Sequence, residues 1–272
     1  GVLLLVDNAH GAYLKFLQPS RHPMDLGADM CCDSAHKTLP VLTGGGYLHI
    51  GTGAPEGFEH GARDAMCLFG STSPSYLILQ SLDLANDWLE KTAPAAFTKT
   101  VERVSAIKTI LSHEGLTLTG EEPLKLTIDC TASCVGSGLV FADRLRDFGI
   151  ECEYADRDVV VLMFAPNNTN DDYEKLSIAV HMLMQVQKHL PETGAERPTF
   201  SNRLPERVLA PRDVLLRPTE TVAVSEAEGR IAADVHIGCP PAVLPVVPGE
   251  RVDRNAVAVM EYYGIQTISV LK

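Results

Sequence analysis

Residues Val2 to Val6 form an unbroken apolar run that stops at an acid, Asp7, followed by Asn8-Ala9-His10-Gly11. Aliphatic residues with no polar alternation are the pattern of a strand covered on both faces, as in parallel sheets flanked by helices. The chain is therefore expected to be α/β at its start. Such a strand is rarely the first element of its domain, so the opening portion of that domain is expected to be missing from this sequence.

A second stretch adds chemistry. Asp33-Ser34-Ala35-His36-Lys37 places a lysine directly after a histidine, with a serine three residues before it. Ligands of open α/β sheets collect beyond the carboxyl ends of the strands, where Asp7 is expected. An acid there, joined about thirty residues later by Ser-x-His-Lys, is a pairing that pyridoxal phosphate (PLP) chemistry uses. The lysine forms the Schiff base, and the acid keeps the pyridinium nitrogen protonated so that the ring can accept electrons. An acid at a strand end is more often a cap or turn residue, and an isolated lysine more often a solvated one. Their combination carries the reading.

These residues resemble the second half of the PLP domain of the Orn/Lys/Arg decarboxylase family, a branch of the fold type I aspartate-aminotransferase fold. Ser71-Thr72-Ser73-Pro74-Ser75-Tyr76, Asn167-Asn168-Thr169, Pro240-Pro241 and Val246-Val247-Pro248-Gly249-Glu250 agree with it, in order along the chain. The resemblance implies PLP as cofactor and decarboxylation of lysine, ornithine or arginine, within polyamine biosynthesis, by a cytoplasmic homodimer or higher homo-oligomer. It implies that Asp7 pairs with the ring nitrogen, Ala9 packs on the ring face and His10 donates to the phenolic oxygen. Lys37 becomes the Schiff-base lysine, with Ser34 and His36 toward the cofactor phosphate. Thr72 and Ser73 are candidates for the phosphate of a partner subunit. Catalytic roles fall to Lys37 and His10. The family's Gly/Ser/Thr phosphate turn and its ring-stacking aromatic lie upstream of the residues present, so this chain alone is expected to bind PLP poorly. The family's Pro-Pro-Gly-Ile-Pro pattern is also altered, since Pro240-Pro241-Ala242-Val243-Leu244-Pro245 carries one more residue.

Composition removes several other classes. Against 23 basic residues stand 35 acidic ones, a net charge of −12 that disfavours nucleic acid and anionic membrane surfaces. Seven cysteines, an odd number without a CxxC pair, fit a reduced compartment better than a disulfide framework. No second Cys/His pair accompanies Cys130 and Cys134 at zinc spacing, so no metal is expected. Val2 to Val6 is too short for a signal peptide's apolar core, and no segment reaches transmembrane length. The triple glycine Gly44 to Gly46 lacks the lysine of a phosphate loop and reads as a turn.

Organisation follows as a partial PLP-binding large domain (1–115), a small α+β domain (116–195) and a C-terminal α+β domain (205–272). Strands are expected at Gly46 to Ile50, Leu124 to Asp129, Val159 to Phe164 and Gln266 to Leu271. Helices are expected from Ser73 as N-cap to Lys91, from Ala95 to Glu114, Gly138 to Phe148, Asp171 to Leu190, Ser225 to Ala233 and Asp253 to Tyr263. Pro191 to Pro211 reads as a linker, and Cys239 to Pro248 as a Pro-rich loop. An aminotransferase of the same fold is the first rival function. Such enzymes clamp the substrate carboxylate with a small-domain arginine. The strand Val159 to Phe164 has none, although Arg157 lies nearby. A non-catalytic PLP-fold protein is the second rival.

Overall fold

The computed structural model describes residues 2–187, 198, 203–234 and 244–272. The chain forms two compact units, one of Gly1–Lys108, Glu122–Leu124 and Phe164–Tyr173, the other of Thr109–Glu121, Lys125–Met163 and Glu174–Lys272. The segments expected as small and C-terminal domains fall mostly in the second unit.

The first unit contains a three-stranded sheet in the order β1 (Leu5–Asp7), β2 (Met30–Asp33), β3 (Tyr47–Ile50). β1 and β2 run parallel in the register Leu5↔Met30 to Asp7↔Cys32, and β3 is antiparallel to β2. The opening strand differs from expectation. It begins three residues later than the apolar run, because the side chain of Asp29 accepts the Leu4 N–H at 2.8 Å while the Asp29 N–H goes to the Leu4 carbonyl. Among the described residues β1 pairs on one side, with β2, and Leu5 is 58% exposed. An apolar pattern records what a strand can bury; among the described residues no strand pairs with its outer side.

A 3-10 turn, Ala12–Phe16, follows the loop after β1, and the short helix α1 (Ala35–Thr38) follows β2. Both are pinned by one core. Tyr13 and Phe16 lie 5.9 and 5.8 Å from the ring of Phe97, with Trp88 edge-on to it at 5.9 Å. Ala12, Leu17, Ala35, Leu39 and Leu124 complete the cluster. Burial raises the Tyr13 phenol, as does the nearby Glu122 carboxylate that accepts its O–H at 3.1 Å.

Three helices follow: α2 (Phe58–Phe69), α3 (Tyr76–Lys91) and α4 (Ala93–His113). The N-cap of α3 is Ser75, two residues beyond the expected Ser73. Ser71 Oγ accepts the Ser73 N–H at 3.1 Å in a local turn, and the first helical bond runs from Leu79 N–H to the Ser75 carbonyl. α4 buries Ala93, Phe97, Thr100, Val104, Ile107 and Leu111, a 3-4 spacing that keeps one stripe inward. Its end matches the glycine signal, since Gly115 adopts a positive φ of 105°.

In the second unit a four-stranded sheet runs β4 (Thr117–Thr119), β5 (Lys125–Asp129), then β7 (Val159–Met163), with β6 (Tyr154–Ala155) on its far edge. Every pair is antiparallel. Buried Leu126 and Ile128 pair across to Leu162 and Val160, so alternation gives the sheet one dry face. Helices α5 (Gly138–Asp147) and α6 (Asn170–Gln187) follow the expected spans to within a few residues. Thr169 caps α6: its Oγ accepts the Asp172 N–H and the Asp172 carboxylate accepts the Thr169 N–H at 2.7 Å.

The last residues form α7 (Pro211–Val214), β8 (Thr219–Ala223), α8 (Arg254–Tyr262) and β9 (Thr267–Leu271), with β8 antiparallel to β9. Asp253 caps α8 through the Ala256 N–H at 2.7 Å. The expected helix at Ser225 to Ala233 is replaced by a single 3-10 turn, Val224–Glu226. Gly229 turns the chain at φ 81°, after which Ile231 and Ala232 bridge to Arg251 and Val270. Those backbone groups are spent on strand partners. The end of the expected linker is tied down as well, since Glu206 takes the Arg251 guanidinium at 2.7 Å. The linker's 191–197 stretch and residues 239–243 of the Pro-rich loop, including the altered Pro240-Pro241 segment, lie outside the described residues.

Candidate active site

The two motifs meet at the carboxyl ends of the parallel strands β1 and β2. Asp7 closes β1 with an exposed carboxylate, and Cys32 on β2 directs its S–H at Asp7 Oδ1 from 3.7 Å. Burial, then the charge of Asp7, raises the Cys32 thiol, so it stays a protonated donor. The chain then turns through Asn8 to Gly11, closed by Gly11 N–H to the Asn8 carbonyl at 2.9 Å. Ala9 and His10 sit half-buried on this turn.

Ser34 caps α1, which presents His36 and Lys37 in its single turn. His36 Nδ1–H donates to the Gly45 carbonyl at 2.9 Å and thereby faces its Nε2 away from that loop. The triple glycine is a turn, as expected, with Gly44 at φ 98°. A Cβ on Gly45 would fall 2.3 Å from Val41 Cγ1, and one on Gly46 2.9 Å from the Asp33 carbonyl. The glycines let this loop lie against the Ser34–Lys37 segment.

Lys37 is exposed, and its Nζ lies 2.9 Å from His10 Nε2, across 27 residues of sequence. An ammonium has only N–H donors, so while Lys37 is charged His10 Nε2 is the acceptor. The structure thus brings together His10 and Lys37 by direct contact, with Asp7 and Ala9 on the His10 loop and Ser34 and His36 on the Lys37 turn. Thr72 and Ser73 are different: both are exposed ahead of α3, and no described contact joins them to this group. Arg157, the arginine nearest the apolar strand, has its guanidinium 4.6 Å above the Tyr262 ring and donates to the Tyr262 carbonyl.

Four residues outside the expected set complete the geometry. Asp33, 5% exposed, accepts from Asn8 Nδ2 at 2.8 Å, from His22 Nε2 at 3.0 Å and from His49 Nε2 at 2.9 Å. The Cys31 thiol adds a contact at 3.6 Å and is itself raised to about 12 by burial and then by the Asp33 charge. Burial alone would lift the Asp33 carboxyl; the His22, His49 and Asn8 donors outweigh it and hold the group below the usual carboxylate range. His22, Asp33 and His49 are also the one set among the described residues whose ligand atoms converge as a metal site would require, within 4.8 Å. Alternation along β2 offered a signal for this set, because Cys31 and Asp33 share a face and Cys31 pairs with His49.

Among the described residues no helix is long and apolar enough to cross a membrane. Residues 1–129 match the Orn/Lys/Arg decarboxylase major domain, and residues 195–268 match the C-terminal domain of the same family. The chain belongs to the Orn/Lys/Arg decarboxylase family. Arginine decarboxylase of Bacillus subtilis is 26% identical over 270 residues, covering 94% of this chain and 55% of that protein. The uncharacterised protein YaaO of the same organism is 29% identical over 272 residues, with the same coverage. The chain therefore spans about half the length of the curated relatives it matches. Lysine decarboxylase A from Pseudomonas aeruginosa shares the fold with a TM-score of 0.79 at 16% identity, over 99% of this chain and 53% of that one.

Proposed function

We propose that this chain carries the lysine-bearing part of the PLP site of a decarboxylase acting on lysine, ornithine or arginine. The observation that carries the reading is the 2.9 Å contact between Lys37 Nζ and His10 Nε2, formed where two parallel strands end at Asp7 and Asp33. The residues fit the group. Asp7 offers an exposed carboxylate at a strand end, Lys37 an accessible amine, and Ala9 a small side chain between the acid and the histidine.

Bound there, PLP would supply an electron sink for the pair released when the Cα–carboxylate bond of an amino acid breaks. Asp7 would accept the ring N–H and, as a carboxylate against a cation, keep that proton in place. Lys37 must lose a proton before its nitrogen can attack an aldehyde, and His10 Nε2 stands where it can take that proton. His10 would afterwards face the phenolic oxygen, while Ser34 and His36 Nε2 are the groups offered to the phosphate. Thr72 and Ser73 are assigned to the phosphate of a second subunit in a homodimer or larger homo-oligomer, which accords with their exposure and their lack of described contact with Lys37. The placement of Arg157 on Tyr262 speaks against its use as the carboxylate clamp of an aminotransferase. A cytoplasmic role in polyamine formation follows from the same reading.

The test is carbon dioxide release from lysine, ornithine and arginine, each supplied separately with PLP to the full-length gene product. Release from one substrate, lost in Lys37→Ala, is the expected outcome. Release that survives Lys37→Ala would remove Lys37 from the site. Amino-group transfer to a keto acid without carbon dioxide would favour the aminotransferase.

A further inference from the structure

Asp33 has been given no chemical role at this site, yet it is the best-bonded carboxylate beside it. A carboxylate this deeply buried is tolerated only when its lone pairs are filled. Three nitrogen donors and one thiol fill them. The sequence positions of those partners matter more than their number. Asn8 directly follows Asp7, and Asp33 directly precedes Ser34, the cap of the turn that holds Lys37. One side-chain bond, Asn8 Nδ2 to Asp33 Oδ1, thus joins the loop of the acid to the turn of the lysine. The Asn8 N–H to the Cys32 carbonyl, at 2.9 Å, runs parallel to it.

The arrangement is built in by its surroundings. A Cβ on Gly11 would sit 1.9 Å from Asn8 Oδ1, so only glycine leaves room for the Asn8 amide to reach Asp33. His22 is buried, and its Nδ1 accepts the Met24 N–H at 3.3 Å. With Nδ1 an acceptor, the neutral ring must carry its proton on Nε2, where it points at Asp33. The His22 Nε2 lone pair that a metal ion needs is then absent, so the three converging side chains act as a hydrogen-bonded triad. His49, with its side chain 37% exposed, closes the carboxylate from the solvent side.

We infer that Asp33, held by His22 and His49, is a positioning residue that fixes the Asp7–His10 loop against the Ser34–Lys37 turn through Asn8. The inference rests on the proposed PLP site. Without this brace the two motifs keep their backbone pairing, the shared core of the 3-10 turn and α1, the Cys32–Asp7 contact and the exposed Lys37–His10 contact, but the buried polar bond between their loops is gone and the spacing between acid and lysine loosens.

The experiment measures where PLP attaches and, separately, whether the loop moves. The full-length gene product is incubated with PLP, reduced with borohydride and digested, and label on Lys37 is compared with label on the exposed surface residue Lys91 in the same sample. Wild type is expected to favour Lys37. Asn8→Ala and Asp33→Asn should lower that preference about tenfold and His49→Gln about threefold, with Lys91 labelling unchanged, since small misplacements of a reacting group are costly. Asp33→Glu, which restores the charge, should recover part of the loss. Asn8→Ala and His49→Gln remove no buried charge, so they serve if Asp33→Asn fails to fold. An unchanged preference in both, with thermal unfolding intact, overturns the inference. If the wild-type full-length protein shows no preference for Lys37, the PLP reading itself fails. The brace is then decided by the NMR ring signals of His10 without PLP: movement in both Asn8→Ala and His49→Gln supports it, and unmoved signals overturn it.

Discussion

Asp33 and Asp158, a buried carboxylate from each unit, solve the same problem with different donors. Asp33 in the first unit is satisfied by two imidazoles and an amide. Asp158 in the second, 2% exposed, accepts the hydroxyls of Tyr262 and Tyr263 at 2.6 and 2.7 Å. Phenols keep their protons across the physiological range, whereas imidazole as a side-chain type changes charge near neutrality. The tyrosines come from adjacent positions at the end of α8 and tie it to the start of β7. The donors to Asp33 come from a loop, a turn and a neighbouring strand. One cluster serves to pin an element; the other sets the spacing of two loops.

The comparison is broken most directly at the acids themselves. Asp33→Asn and Asp158→Asn should each destabilise their own unit by about 3 kcal/mol, because a buried network is left half satisfied. Denaturant titration followed by hydrogen exchange of peptides from each unit would show the loss confined to the mutated one, and spread over both would contradict the independence of the two clusters.

Acid sharpens the contrast. The Asp33 carboxyl is lower in the folded state, so its contribution is fully present above its unfolded range, about pH 4, and is lost as pH falls toward the folded value. Stability of wild type should therefore drop below about pH 4, and Asp33→Asn should flatten that limb. A limb equally steep in the variant would remove Asp33 as its source.

Removing single donors should cost less. Tyr262→Phe or Tyr263→Phe is expected to lose about 1.5 kcal/mol, the worth of a hydrogen bond to a charged group. His49→Gln, half in solvent, should lose about 1 kcal/mol in denaturant midpoints at pH 7. Smallest of all is Lys15→Ala, which breaks an exposed pair with Asp25 at 2.7 Å. Its effect should stay within about 0.5 kcal/mol and vanish in high salt.

What the sequence revealed follows the range of the interactions involved. β5, β7, α5, α6 and α8 were legible because alternation, 3-4 spacing and caps such as Asp253 and Thr169 act within a few residues. Ser225 to Ala233 misled, since its helical spacing gave no warning that Ile231 and Ala232 bridge to the distant Arg251 and Val270. Helix α2 escaped notice: it contains Gly61, starts after a left-handed Gly57, and buries none of its residues. At the candidate site, Asp7, His10 and Lys37 announce themselves by motif. For Asn8, His22, Asp33 and His49 the local signal stops at the alternation that puts Cys31 and Asp33 on one face of β2; strand register is what brings residues 8, 22, 33 and 49 together.

In this 272-residue chain the open side of β1 has a colloidal consequence. Leu5, Met30, Leu48, Phe58, Met66 and Phe69 line an apolar groove of about 660 Å³ beside backbone groups that no described strand takes up. Such an edge is a template on which further strands can grow. At neutral pH a net charge of −12 holds copies apart. Near pH 5, where the composition places the isoelectric point (about 5.2), that repulsion disappears while the sticky edge remains. Turbidity of this chain should peak there, and added salt should raise it at pH 7 by screening the same charge.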